Sequence, residues 1–241
     1  ILQCNMLYLT TSKGDFMILR FSTDKQKYAI ITVSAILIIA VVTFAVNKII
    51  EIYTVHQVFA AYNMLTEAYQ TSIKSEKYEW TNEKMNVNVL ANNYIKYLPV
   101  KKDCAKSDNT CFAPYVNYKN PLGPIKLSKM EAFRKAELKN GMTVAVGIQH
   151  PACDGPRGRC GSVFVDINGK KGPNKLGTDV FDFGVYKNEI KPYKIEIVHI
   201  DRCVEGNGQG CSSYILKYGR TNYNAYDRIV TREVNRQAQG K

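Results

Sequence analysis

The run Ala29 to Val46, AIITVSAILIIAVVTFAV, holds no charged residue, no proline and no glycine. Nothing else in the chain restricts its fold as firmly. These eighteen residues, at a helical rise of about 1.5 Å, make roughly 27 Å, close to the hydrocarbon thickness that a spanning helix must match. A cleaved signal peptide and a buried core helix are the competing readings. The run exceeds a normal secretory h-region, no small-x-small cleavage site follows it, and Asn47, Lys48, Ile49 and Ile50 continue the helical pattern. Lys13, Arg20, Lys25 and Lys27 precede the run, whereas Lys48 and then Glu51 follow it. The basic flank predicts an N-terminus held inside and the bulk of the chain outside.

Beyond the run, Ile49, Ile52, Val55, Val58, Phe59, Tyr62, Leu65, Tyr69 and Ile73 recur at steps of three or four. With no proline or glycine from Tyr28 to Ser75, a continuous helix of about 70 Å is expected, its first half in lipid and its second packed on the rest of the chain. A coiled-coil seam is the lesser reading, because the heptad pattern is not clean. Past Lys77 the composition shifts. Met142–Ile148, Gly161–Ile167, Val180–Val185, Tyr193–Ile200 and Ser213–Tyr218 read as strands separated by turn residues. Met85–Tyr97 and Ser128–Asn140 read as helical, the latter opening on a serine with Glu131 at capping-box spacing. The predicted fold class is α+β, a long N-terminal helix laid on an antiparallel sheet. The expected domains are a leader or cytoplasmic segment 1–27, a spine helix 28–80 and an extracytoplasmic head 81–241.

Six of the seven cysteines fall into short-range pairs, Cys104 with Cys111, Cys153 with Cys160, and Cys203 with Cys211; Cys4 precedes the apolar run. This usage suits disulfides in an oxidising compartment. Near-neighbour pairing is the simplest of about fifteen connectivities that six cysteines allow. A zinc reading asks for CxxC knuckles, and here the gaps are longer, with no histidine at ligand spacing.

In three places the residues resemble the type IV pilin-like proteins, meaning type IV pilins and the pseudopilins of type II secretion. The first is the uninterrupted helix, with Ala61-Tyr62-Asn63-Met64-Leu65 and later Trp80. The second is the stretch VDINGKKGPNKLGTDVFDF from Val165 to Phe183. The third is Cys203–Gly206 with Gly210-Cys211-Ser212-Ser213-Tyr214-Ile215-Leu216. Together they span most of residues 28 to 230. The resemblance implies a pilin-like fold and a structural subunit assembling through its N-terminal helix. Its partners would be other pilin or pseudopilin subunits, the assembly machinery and the bacterial inner membrane. Its place would be that membrane, single-pass, and the periplasm or cell surface once assembled.

One motif departs from the family. Prepilins carry glycine, usually phenylalanine, then a glutamate four residues on; here Arg20 stands at the glycine, Phe21 at the phenylalanine and Lys25 at the glutamate. Arg20 and Phe21 are the expected processing point. The family's glutamate is thought to meet a neighbour's N-terminal amine in low dielectric, where a lone charge is costly, and lysine cannot take that part. Asp24 lies one position off. Residue 1 is not methionine, and Met17 stands as a candidate start.

Asp166 and Asn168, in an Asp-x-Asn-Gly turn, place two oxygen side chains on one side, and Asp179 can return another. Calcium takes six to eight oxygens. The motif is shorter than an EF-hand loop, and Asn-Gly is also a good turn sequence in its own right. Some pseudopilins hold calcium in a C-terminal loop, so the resemblance adds weight to a calcium site of Asp166, Asn168, Asn174 and Asp179. The expectation is no cofactor, with calcium as the alternative.

The chain carries a net charge of +12, and past residue 27 there are 29 basic against 19 acidic residues, a net +10. Arg157 and Arg159 with Lys170, Lys171 and Lys175 form the densest basic cluster, an expected site for DNA or another polyanion such as an anionic surface polymer. A solvated basic surface is the plainer reading, since no aromatic residues interleave as in a single-strand channel. The three histidines, His56, His150 and His199, make no catalytic constellation. Pairing His150 with Cys153, or His199 with Cys203, would need reduced thiols. The chain is not expected to be an enzyme. Two functions remain: the pilin or pseudopilin subunit, and an anchored extracytoplasmic protein whose basic head binds a polyanion without forming a filament.

Overall fold

The computed structural model describes residues 7–10, 16–19, 24–76, 78, 87–104, 109–113, 116–117, 124–125, 133–192, 203 and 208–223. The chain divides into two compact units, Ile1–Ile50 and Glu51–Lys241, and the division falls inside one helix. In the first unit β1 (Leu7–Thr10) pairs antiparallel with β2 (Phe16–Leu19), Leu7 opposite Leu19. Then α1 (Asp24–Glu76) runs unbroken for 53 residues, about 80 Å at helical rise. Asp24 sits in its first turn, where a carboxylate suits the helix dipole, and pairs with Lys27 at 3.3 Å. Every described side chain from Lys27 to Ile50 is exposed, and an eighteen-residue window of this helix has a mean hydropathy of 2.8. A helix so apolar and so bare is long enough to cross a membrane once.

In the second unit the continuing α1 buries Thr54, Val58, Ala61, Leu65, Ala68, Tyr69 and Ser72, one face at steps of three and four. Ile52 and Phe59, which belong to the apolar stripe read from the sequence, stay exposed. The buried face meets α2 (Val87–Lys96) through Leu90, Ala91, Tyr94 and Ile95. Tyr94 Oη donates to the Leu65 carbonyl at 2.9 Å, so its buried hydroxyl is satisfied, and its ring stands edge-on to Tyr69.

The sheet is a six-stranded antiparallel meander apart from the insertion of loops: β3 (Val100–Asp103), β6 (Phe133–Leu138), β7 (Thr143–Ile148), β8 (Arg159–Asp166), β9 (Val180–Tyr186) and β10 (Ile190–Pro192), in that spatial order. Between β3 and β6 a small hairpin joins β4 (Val116–Asn117) to β5 (Pro124–Ile125). Alternation gives the sheet two faces. Ala136, Leu138, Val144, Val146, Val163, Val165, Phe181, Phe183 and Val185 form the main core with α1 and α2. On the reverse face Phe133, Ala145, Phe164 and Val180 form a smaller core, covered by Phe112, Ala113 and Leu176 from loops and by Val116 of β4. The α+β layout, a long N-terminal helix with an antiparallel sheet, is the one expected.

Two elements differ from expectation. The segment ending at Asn140 contributes strand β6, not a helix, where it is described. Phe-Arg-Lys-Ala-Glu-Leu is locally helix-prone, but β6 pairs with β3 on one side and β7 on the other and buries Phe133, Ala136 and Leu138. Tertiary pairing overrides propensity there. Ser213–Tyr218 is not a strand but lies in α3 (Cys211–Tyr218). Gly219 ends that helix in a left-handed conformation, its N–H reaching the Ile215 carbonyl. The Met85–Tyr97 helix is present as α2, and the expected strand Tyr193–Ile200 lies outside the described residues. Disulfides join Cys104 to Cys111, Cys153 to Cys160 and Cys203 to Cys211, the near-neighbour pairing; Cys4 lies outside the described residues.

Candidate functional site

Asp166 closes β8 and Asp179 immediately precedes β9, so the loop between them brings a second carboxylate back to the first. Asn168 N–H donates to Asp166 Oδ1 at 3.2 Å, and Gly169, at φ 74°, completes the Asp-x-Asn-Gly turn by donating to the Asp166 carbonyl. Asp179 organises the return: Oδ1 accepts Lys175 N–H at 2.6 Å, and Oδ2 accepts Asn174 N–H at 2.8 Å and Asn168 Nδ2 at 3.2 Å. Asn174 adopts a left-handed φ of 50°, which asparagine tolerates better than most residues. All four residues expected to hold calcium are therefore gathered in one loop.

Their electrostatics are unusual for a surface turn. Asp166 is fully buried and Asp179 nearly so. Burial, and then the neighbouring Asp179 carboxylate, push Asp166 up to about 8, against the pull of the Asn168 N–H. Asn174 Nδ2 donates to Asp166 Oδ2 and to the Lys171 carbonyl, each at 3.1 Å. Two further oxygens, Thr143 Oγ1 and Asn168 Oδ1, are buried with no hydrogen-bond partner among the described residues. Thr143 stands directly opposite Asp166 in the β7–β8 register, hence on the same sheet face. Sequence spacing missed Thr143, since 23 residues separate it from Asp166; only the strand register, with alternation on both strands, could have indicated it. The donor set is oxygen throughout. Among the described residues no group of three Asp, Glu, His or Cys side chains that could hold a metal ion is found.

The basic cluster does not assemble as expected. Arg157 and Arg159 sit where β8 begins, and Lys170, Lys171 and Lys175 follow its end, about 23 Å away along an eight-residue strand. Arg159 folds back on its own strand, bonding the Gly161 carbonyl at 2.7 Å and Ser162 Oγ. Lys170 Nζ donates to the Thr110 carbonyl and reaches Glu137 Oε1 at 3.5 Å. Lys101, Lys170 and Lys171 do share one groove of ≈ 390 Å³ with Glu137, Thr143 and Asn168. Sequence proximity misled because an extended strand carries its two ends far apart.

Asp182, not singled out by the sequence, is buried on the same reverse face. Its Oδ1 accepts Gly210 N–H at 3.3 Å, its backbone carbonyl accepts Ser212 Oγ at 2.7 Å, and Oδ2 has no hydrogen-bond partner among the described residues. Burial raises its pKa, opposed by the Arg159 guanidinium and the Gly210 N–H. The thiol-based pairs are absent as active chemistry: Cys153 and Cys203 are both in disulfides, and His150 faces Asp154 at 3.6 Å. Arg20, Phe21 and His199 lie outside the described residues. Comparison with protein-family models, with curated proteins and with solved structures returned no match.

Proposed function

We propose that this chain is a membrane-anchored structural subunit of the type IV pilin-like class, a pilin or pseudopilin that assembles with other subunits through its N-terminal helix. The observation that carries the reading is the division of labour along α1. From Lys27 to Ile50 its described side chains are all exposed and largely apolar, a surface that calls for lipid or neighbouring helices; from Val58 to Ser72 the same helix is core. Disulfides across the head support an extracytoplasmic location. The anchor is retained in the membrane before assembly and becomes the filament axis after it.

The second reading is a stand-alone anchored binding protein. What favours it is the groove lined by Lys101, Lys170 and Lys171, a docking place for a polyanion that needs no filament. Intact mass of the protein from native membranes and from sheared cell-surface material, with and without reduction, separates the two. A mass beginning at Phe21 in the sheared fraction, increasing on reduction by the hydrogens of three disulfides, is the outcome expected for the subunit. Unprocessed protein confined to membranes favours the binding protein, and free thiols in the native head overturn the extracytoplasmic topology of both.

A further inference from the structure

The end of α3 is fastened to α1 close to the point where α1 stops being uniformly apolar. Glu51 Oε1 accepts the Thr221 N–H at 3.1 Å. Glu51 stands five residues past Val46, the end of the uncharged run, which is about 7.5 Å of helix. Chain connectivity therefore holds residues 217–221 near the surface of the bilayer that the run crosses. What is held there is basic and aromatic. Lys217 and Arg220 are exposed and Tyr218 is half-buried. Lys217 Nζ stands over the Tyr218 ring, 4.9 Å from its centroid. On α1, two residues beyond Glu51, Tyr53 is 50% exposed.

This patch is fixed from beneath. Gly219 ends α3 in a left-handed conformation, so the chain turns back at once. Tyr214 Oη donates to the Asn222 carbonyl at 3.0 Å, and Tyr223 N–H donates to the Thr221 carbonyl at 2.9 Å. The Tyr223 ring is buried, packs edge-on against Tyr214, and its hydroxyl donates to the Gly177 carbonyl at 2.9 Å. Burial raises the Tyr214 pKa; the Arg220 cation opposes that shift and the Glu51 carboxylate adds to it, so both charges lie close to the one ring. A surface already ordered in this way loses little freedom when it engages a partner.

Exposed cations beside amphipathic rings, held where a helix leaves lipid, match the chemistry of an anionic headgroup layer. Phosphates suit Lys217 and Arg220, and the boundary between headgroup and hydrocarbon suits tyrosine. We propose that the head docks on the membrane through Lys217, Tyr218 and Arg220, which contact the anionic phospholipid headgroups of the leaflet from which α1 emerges. Glu51 is a positioning residue, which holds Thr221 and with it the patch at that level. Each basic side chain near an anionic leaflet favours the docked head by roughly fivefold, so Lys217 and Arg220 together give a preference that a neutral leaflet does not. The inference rests on α1 crossing the membrane and not on filament assembly.

The test uses the full chain reconstituted in phosphatidylcholine vesicles and in vesicles with about one third phosphatidylglycerol, an anionic lipid. Co-flotation with both kinds checks the anchor separately. Hydrogen exchange of the 217–222 amides, read by mass spectrometry, should slow roughly fivefold or more on the anionic vesicles while the β8 amides stay unchanged. The difference should vanish in about 1 M salt, where the Debye length is about 3 Å. Lys217→Gln with Arg220→Gln should lose the difference, and Lys217→Arg with Arg220→Lys should keep it. If the glutamine pair does not fold, seen as fast exchange in β8, the salt series on the wild type decides. Protein that floats with both vesicles and exchanges equally at 217–222 in each overturns the docking, whereas protein that floats with neither overturns the anchor on which it rests. Heparin that slows the same amides on neutral vesicles as much as the anionic lipid does overturns the lipid assignment. An undiminished effect in the folded glutamine pair overturns the role of Lys217 and Arg220.

Discussion

Asp182 keeps one carboxyl oxygen bonded and one bare, and its surroundings decide its charge. Burial disfavours the ionised form more than Arg159 and the Gly210 N–H favour it, so its folded pKa lies above the unfolded carboxylate value. A raised acid contributes stability that is fully present below the unfolded pKa and is lost as pH rises through the folded one. Asp182→Asn keeps an oxygen for Gly210 and removes the charge. The variant should show a flatter acid-to-neutral dependence of its urea midpoint than wild type, its stability relative to wild type rising as pH goes from acid to neutral. Gly177 gives the opposite case. At φ 74° a Cβ there would stand 2.5 Å from Cys211 Sγ, a disulfide sulfur that cannot swing away. Gly177→Ala should cost about 2 kcal/mol or more, read as a lowered melting temperature with the thiol count still zero at Cys203 and Cys211.

At the scale of elements, α1 was legible because proline and glycine are missing from its whole length, and β7, β8 and β9 because β-branched and aromatic residues fill them. The helix also carries the most exposed wager on packing. Leu65, fully buried between α2 and the sheet, should cost about 2–5 kcal/mol as Leu65→Ala, measured by denaturant unfolding of the head. β6 and α3 were not legible, for one reason. Each has a local preference at odds with its neighbours: Phe133–Leu138 looks helical until it is flanked by two strands, and the Tyr-Ile-Leu of Tyr214–Leu216 looks extended until Gly219 ends a helix behind it. The loop between β8 and β9 shows the same limit in the candidate site. Its own residues could be read from spacing, because turn and return lie within fourteen positions from Asp166 to Asp179. Thr143 enters only through strand register, which no spacing along the chain announces.

For the whole molecule, the two compact units imply separable solubility. Residues 51–241 expressed without the first fifty should remain in solution without detergent and keep the thermal transition of the head, since the main core draws on α1 only from Val55 onward. The full chain should instead partition into detergent or lipid. Aggregation of the 51–241 protein, with no cooperative transition, would mean that the exposed first half of α1 supports the head in a way its bare side chains do not indicate.

The two faces of the sheet are covered unequally, one by helices and the other largely by loops held through Asn117, Asp179 and the Cys104–Cys111 bridge. Deuterium should therefore enter the head from one side. Amides of 174–177 would exchange through a local opening, well before those of β7 and β8, whose protection would report on global unfolding.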